Sequence, residues 1–305
     1  MLSRIAESLY WIGRYVERAD GTARIVDVVR LSLLETTTSD AAELVLSMIM
    51  GIEPPSKQVT FDEVRDRLVF DAGNPSSIAG SWCAARENAR RAREILSTDL
   101  WEVLNTAWFR WRNLGAPDAT TRHLAWTRDR AALIRGVADS SMSHDEAWDF
   151  LILGRSLERA DMTARMVATG TLKFAGFSWT GVLTACNAQQ AYTQTHRGVV
   201  DDRLAAAFLT LDRQFPRSVV YNLRTAEDCL MRLRPPSDRM GISDEARRRL
   251  ARIRTSIEYR QTDDVIADLA PSMARVQAAV AESAAEVAKQ YFPSRAATLW
   301  TGEVV

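Results

Sequence analysis

Lysine is almost absent. Only Lys57, Lys173 and Lys289 occur among 39 basic residues, so nearly all the positive charge is arginine. Guanidinium is permanently charged and presents a planar fork of donors, which suits fixed bidentate ion pairs; an arginine-biased genome accounts for the same composition. Cysteine is scarce as well. Cys83, Cys186 and Cys229 form no CxxC pair and are odd in number, which excludes a disulfide scaffold and fits a reducing compartment. Net charge is absent, with 39 acidic residues balancing the 39 basic ones. A chain of this kind lacks the global positive field of a nucleic-acid binder, and no nucleic-acid partner is expected. Long apolar runs are missing too. Arg4, Glu7 and Arg14 interrupt the start, and the stretch from Gly170 to Cys186 is short and holds Lys173, Gly176 and Gly181. Neither a signal core nor a bilayer span is expected, so we anticipate a cytoplasmic protein without a membrane partner.

Chemical signatures are equally sparse. The histidines are His123, His144 and His196, and no Glu-x-x-His pair of the di-iron type accompanies them. There is no Walker A sequence, no GxGxxG and no Ser, His and Asp arrangement to single out. The residues therefore call for no metal and no cofactor.

What the chain does have is helical periodicity. Ile5, Leu9, Ile12, Val16, Ala19, Ala23 and Val26 recur at spacings of three and four and draw one apolar stripe. Helix starts are expected at Asp40, Asp99 and Ser143, each followed three residues later by glutamate. Breaks are expected at Glu53-Pro54-Pro55, Gly73-Asn74-Pro75, Gly115-Ala116-Pro117, Phe215-Pro216 and Pro235-Pro236. No run of alternating β-branched residues appears. With 305 residues, 47% of them hydrophobic, the chain can bury a large core.

A repeat organises the pattern. Ile12 to Val26 reads IGRYVERADGTARIV, and Leu153 to Val167 reads LGRSLERADMTARMV. Ten of the fifteen positions are identical, where composition alone gives roughly one. The offset of 141 holds further along, pairing Asp71 with Asp212, Pro75 with Pro216, Ser77 with Ser218 and Ala85 with Ala226. The expected fold is all-α: a pseudo-twofold helical bundle from an internal duplication, a single domain over 1–305 with pseudo-repeats 1–141 and 142–305. Matched alanines on both stripes would let helices approach closely.

The repeated segment is dense in charge. On a helix, Arg14, Glu17, Gly21 and Arg24 share a face with Arg18 at its edge, and the second copy places Arg155, Glu158, Met162 and Arg165 there with Arg159 beside them. Asp20 and Asp161 complete the motif. Spacing alone pairs Arg14 with Glu17, Glu17 with Arg24 and Asp20 with Arg24. Three readings stay open. The charges form an ion-pair network where the halves meet. They form a pocket for a carboxylate or phosphate, since each half has three motif arginines and two acids. Or Glu17 or Glu158 is catalytic, although a carboxylate among arginines is held ionised and makes a weak base.

Two other features stand out. Trp101, Trp108 and Trp111 lie on one helical face, for core packing or for a partner groove. The segment Asn74 to Arg90 reads as a turn, an N-cap and a polar-faced helix. Glu87 and Arg91 are spaced to pair, and the helix either faces solvent or completes the motif's polar cluster.

The start MLSRIAESLYWIGRYVERADGTAR, the middle NPSSIAGSWCAARENARRAREILS followed by LWEVLN, and the later LGRSLERADMTAR resemble the bacterial Alpha-E family across essentially the whole chain. The resemblance implies an α-helical domain with a Glu-Arg motif, encoded beside or fused to a circularly permuted ATP-grasp ligase. It implies an accessory or substrate-holding role in peptide synthesis or modification, or an enzyme acting on an amino acid or peptide. The ligase is then the expected protein partner, and a small anionic or peptide ligand is the expected occupant of any site. Carried over by motif, the site positions are Arg14, Glu17, Arg18 and Asp20 with Arg155, Glu158, Arg159 and Asp161, flanked by Arg24 and Arg165. Asn74, Ser77, Glu87, Asn88 and Asn105 are secondary candidates. The second copy departs from the first, with Arg217 in place of Ser76, so any site is expected to be asymmetric.

Overall fold

The computed structural model of the protein describes residues 1–35, 42–43, 45–47, 59–115, 120–171, 178–198, 200–235, 239 and 241–292. Regular structure among them is entirely helical. Helix α1 (Ser3–Glu35) is the longest. Helix α2 (Phe61–Arg65) runs into a π-helical turn, and α3 (Ile78–Arg91), α4 (Thr98–Arg112) and α5 (Thr120–Ser141) follow. The second half opens with α6 (Glu146–Gly170). The short helices α7 (Trp179–Ala185), α8 (Gln189–His196) and α9 (Asp202–Leu211) come next, then α10 (Val219–Leu233), α11 (Glu245–Glu258), α12 (Thr262–Ala267) and α13 (Leu269–Tyr291).

Side-chain caps set most of the starts. Ser77, Ser97, Asp145, Ser178, Asp201, Ser218 and Asp244 each accept a hydrogen bond from a backbone N–H in the first turn of the helix that follows. Thr60 and Glu63 close a reciprocal capping box before α2. Two expected starts need correction. Ser97 rather than Asp99 caps α4, and Asp145 rather than Ser143 caps α6. In both cases the oxygen nearest the free N–H groups wins, and the acid downstream sits in the first turn, where the helix dipole favours it. The expected start at Asp40 and the breaks at Pro54, Pro117 and Pro236 lie outside the described residues. The breaks at Gly73-Asn74-Pro75 and Phe215-Pro216 are non-helical turns.

The centre of the molecule is α1 packed along α6. Helix α1 also packs on α3 and α5, which α4 joins; α6 packs on α10 and α13, which α11 joins. The two halves thus repeat one set of neighbours. They approach closely at the motif glycines. A methyl group on Gly13 would overlap the Leu151 carbonyl oxygen, and one on Gly154 would overlap the Tyr10 carbonyl oxygen. Tyr10 and Leu151 are themselves 141 apart, so each helix presses a glycine against the same point of the other. The alanines Ala19, Ala23, Ala160 and Ala164 are buried further along the seam.

Cap geometry recurs at the same offset. The Ser77 hydroxyl donates to the Asp71 carbonyl at 2.5 Å, and the Ser218 hydroxyl donates to the Asp212 carbonyl. Ser81 Oγ donates to the Pro75 carbonyl at 3.2 Å, as Asn222 Nδ2 does to the Pro216 carbonyl at 3.1 Å. These bonds tie the turns to the first turns of α3 and α10.

Candidate functional site

Glu17 and Glu158 sit in the seam and are almost completely buried, at 1% and 3% exposure. A buried carboxylate needs compensating donors, and each glutamate finds them on the opposite helix. Arg18 grips Glu158 with two parallel bonds, Nε to Oε1 at 2.6 Å and Nη2 to Oε2 at 3.0 Å. Arg159 grips Glu17 in the same way, Nε to Oε1 at 2.9 Å and Nη2 to Oε2 at 2.6 Å. The remaining guanidinium nitrogens reach equivalent carbonyls, Arg18 Nη1 to Pro75 at 3.4 Å and Arg159 Nη1 to Pro216 at 3.1 Å. The Glu-Arg step of each motif is therefore half of a reciprocal exchange. The pairing of Arg14 with Glu17 and of Glu17 with Arg24 within α1 is corrected. Of the three spacings only Asp20 with Arg24 is bonded, at 3.1 Å.

Beyond that exchange the two sides differ. Arg14 completes the Glu158 side, donating from Nε to Oε2 at 2.7 Å and from Nη1 to the Tyr10 hydroxyl at 2.8 Å. On the Glu17 side, Arg217 bridges Glu17 at 2.9 Å and Asp20 at 2.5 Å. Arg135 of α5 reaches the same two acids, at 3.4 and 3.1 Å. Arg24 continues from Asp20 to Asn187 Oδ1 at 3.1 Å. Asp161 has Arg165 at 2.8 Å.

Arg155 is left over. It stands where Arg14 does in the first copy, but Leu151 replaces Tyr10 and offers no hydroxyl. Both Glu17 oxygens are already taken by Arg159, Arg217 and Arg135. The buried Arg155 Nε has no hydrogen-bond partner. Burial, reinforced by repulsion from Arg159, pulls its guanidinium down to about 10.

The electrostatics follow from these pairings. Burial alone would push Glu158 up, but Arg18 and Arg14 outweigh it and bring the carboxyl down to about 2. Burial opposes Arg159 and Arg217 at Glu17 too, and the arginines win, holding it well below the usual range. Asp161 goes the other way, because burial exceeds what Arg165 returns. Two glutamates held ionised by arginines on both oxygens are poor proton acceptors. Two cavities beside Glu17 are small. One of about 20 Å³ touches Glu17, Arg135 and Arg155, and one of about 10 Å³ touches Glu17, Arg159 and Arg217. Each has room for roughly one water molecule.

The secondary candidates spend their hydrogen bonds outside this cluster. Asn74 shapes its turn, accepting from Ser76 N at 2.9 Å and donating to the Arg67 carbonyl at 3.1 Å. Ser77 is the cap of α3. Glu87 pairs with Arg86 at 2.9 Å and Arg90 at 3.1 Å, which corrects the expected pairing with Arg91. Asn88 donates back to the Ala84 carbonyl, and Asn105 accepts from Arg86. Helix α3 does lie beside α1, and the turn before it supplies the Pro75 carbonyl to the cluster.

Trp111 is buried, stacked on Trp108 and set against His123 and Phe70; Trp101 lies under Arg93. Burial pushes the thiols of Cys186 and Cys229 up to about 12, which makes them inert as nucleophiles. Among the described residues no three His, Cys, Asp or Glu side chains group to hold a metal. No helix among them is long and apolar enough to cross a membrane. Sequence reasoning missed Arg135 and Tyr10. Arg217 was visible only as a departure from the repeat.

The class these features define is a helical domain with paired Glu-Arg steps buried in its seam. The Alpha-E family, described as a predicted alpha-helical domain with a conserved ER motif, matches residues 1–292, and the chain belongs to it. It is also similar to the uncharacterized proteins Mb2597 of Mycobacterium bovis, at 26% identity, and Rv2567 of Mycobacterium tuberculosis, at 25%. Each match covers 92% of this chain and 36% of the relative, so the chain spans about a third of the length of these relatives. No solved structure matches it.

Proposed function

We propose that the chain is a helical binding subunit whose Glu-Arg motifs hold its halves together, and that it serves a circularly permuted ATP-grasp ligase in peptide synthesis or modification. On this reading the chain is one duplicated unit, 1–141 and 142–305, and the reciprocal Arg18–Glu158 and Arg159–Glu17 pairs support it. The observation that carries the binding role is saturation. The motif glutamates spend their oxygens on arginines of the same chain, and the adjoining cavities hold about one water each. The test is coexpression with the neighbouring ligase. A stable complex that changes ligase turnover is expected; a chain that elutes alone and leaves turnover unchanged contradicts the role.

A second reading, an enzyme acting on an amino acid or peptide, draws on the unpartnered Arg155, which could receive a substrate carboxylate. It requires seam residues to part. Isothermal titration of amino acids and short peptides decides it, since binding abolished by Arg155→Met would favour the enzyme.

A further inference from the structure

We propose that the concave surface between the first turn of α1 and the C-terminal end of α3 docks an acidic segment of a protein partner. The cavity has a volume of about 560 Å³ and is lined by Arg4, Arg90, Arg91, Arg93 and Glu94. Four guanidiniums thus share one lining carboxylate, and that carboxylate lies 3.8 Å from Arg4. Arg90 is also tied to Glu87, and Arg93 is held over the Trp101 ring at 5.3 Å.

Arginines near a helix C-terminus complement the helix dipole, so Arg90 and Arg91 alone would need no further account. The other half of the molecule shows what such an end looks like when closed. Arg232, the equivalent of Arg91, grips the buried Asp149 at 2.6 Å. In the first half that acid is replaced by Ser8, whose hydroxyl turns back to the Arg4 carbonyl. Asp145 of the second half is replaced by Arg4 itself. The repeat has exchanged two carboxylates for a hydroxyl and a guanidinium, and the positive surface is the result.

The chemistry favours a peptide over a compact phosphate. The lining meets both the first turn of α1 and the carbonyl end of α3, and the dipole of the latter repels concentrated negative charge. Four lining guanidiniums from two segments of the chain can pair with carboxylates spaced along a peptide. Leu2 and Ile95, neighbours in sequence of the lining residues, are 60% and 43% exposed and can meet an apolar side chain of such a segment.

This surface would serve the binding role proposed above and rests on it. The test is fluorescence anisotropy of labelled hexaglutamate on the full chain, with tripolyphosphate titrated in parallel at matched ionic strength. Two variants of equal charge change are compared, Arg4→Glu with Arg91→Glu, and Arg224→Glu with Arg252→Glu on exposed helix faces elsewhere. Reversing two of the four lining guanidiniums predicts a loss of about tenfold for the first variant. The second should change little, and both should keep the melting temperature. Absence of hexaglutamate binding, equal losses in both variants, or tighter binding of tripolyphosphate would each overturn the proposal. If hexaglutamate binding fails while the ligase still copurifies, the surface is refuted and the accessory role stands.

Discussion

Glu158 shows what a motif residue does. Its carboxyl is held at about 2, against an ordinary value near 4.5, because Arg18 and Arg14 outweigh the burial that opposes them. A carboxylate depressed on folding adds stability above its ordinary range, and that stability is lost as pH falls through the folded value. At 1.36 kcal/mol per pH unit the contribution is about 3 kcal/mol. Denaturant unfolding should show this loss between about pH 4.5 and pH 2, and Glu158→Gln should remove it; equal acid sensitivity in both proteins would contradict the assignment. At neutral pH, Glu158→Gln leaves Arg14 and Arg18 unpaired and should cost about 3–5 kcal/mol, whereas Glu87→Gln on the surface should stay within about 0.5 kcal/mol. Arg155 is the converse case. Removing a guanidinium whose buried Nε has no partner, by Arg155→Met, should be neutral or stabilising, while Arg14→Met should be clearly destabilising. The two arginines hold equivalent repeat positions, so equal losses in thermal unfolding would show that Arg155 has a partner after all.

At the scale of the element, the glycine crossing fixes how α1 and α6 lie. Gly to Ala in an exposed helix interior gains about 1 kcal/mol in helix propensity. At Gly136 of α5 nothing lies within 4 Å of an added methyl, so Gly136→Ala should stabilise. At Gly13 or Gly154 the methyl meets backbone that cannot move aside without parting the helices, so the same change should destabilise by at least about 1–3 kcal/mol. Melting curves of the three variants give the signs, and a stabilising Gly13→Ala would refute the close approach. Much of this scale was legible in sequence. The three- and four-residue spacing from Ile5 to Val26 marks α1, and Ser77 followed by Ile78 marks the start of α3. The matched alanines pointed to a tight seam, but the tightest contact is at the glycines, because only backbone meeting backbone demands the absence of a side chain. The caps at Ser97 and Asp145 were misplaced by two residues, since Asp99 and Ser143 have the glutamate three residues on that Ser97 and Asp145 lack. No periodic signal distinguished the short helices α7 to α9.

For the whole molecule, the offset of 141 relates the sequence of α1 to that of α6, and the motif marks the charged stripe of each. Spacing rules see only neighbours on one helix, so they paired Arg14 with Glu17; the fold instead pairs each glutamate with the opposite helix. Arg135 carried no motif and could enter only through three-dimensional packing. Arg217 entered because Pro216 places it beside the seam. The charge cluster thus couples the halves, and this coupling is open to a double-mutant cycle. Arg18→Met and Glu158→Gln should be non-additive by about 1–3 kcal/mol in unfolding free energy, because each single change strands the other's partner. The same cycle on Arg14 and Glu17, which share no bond, should give a smaller coupling than Arg18 with Glu158. Coupling between Arg14 and Glu17 together with independence of Arg18 and Glu158 would contradict the cross-paired seam.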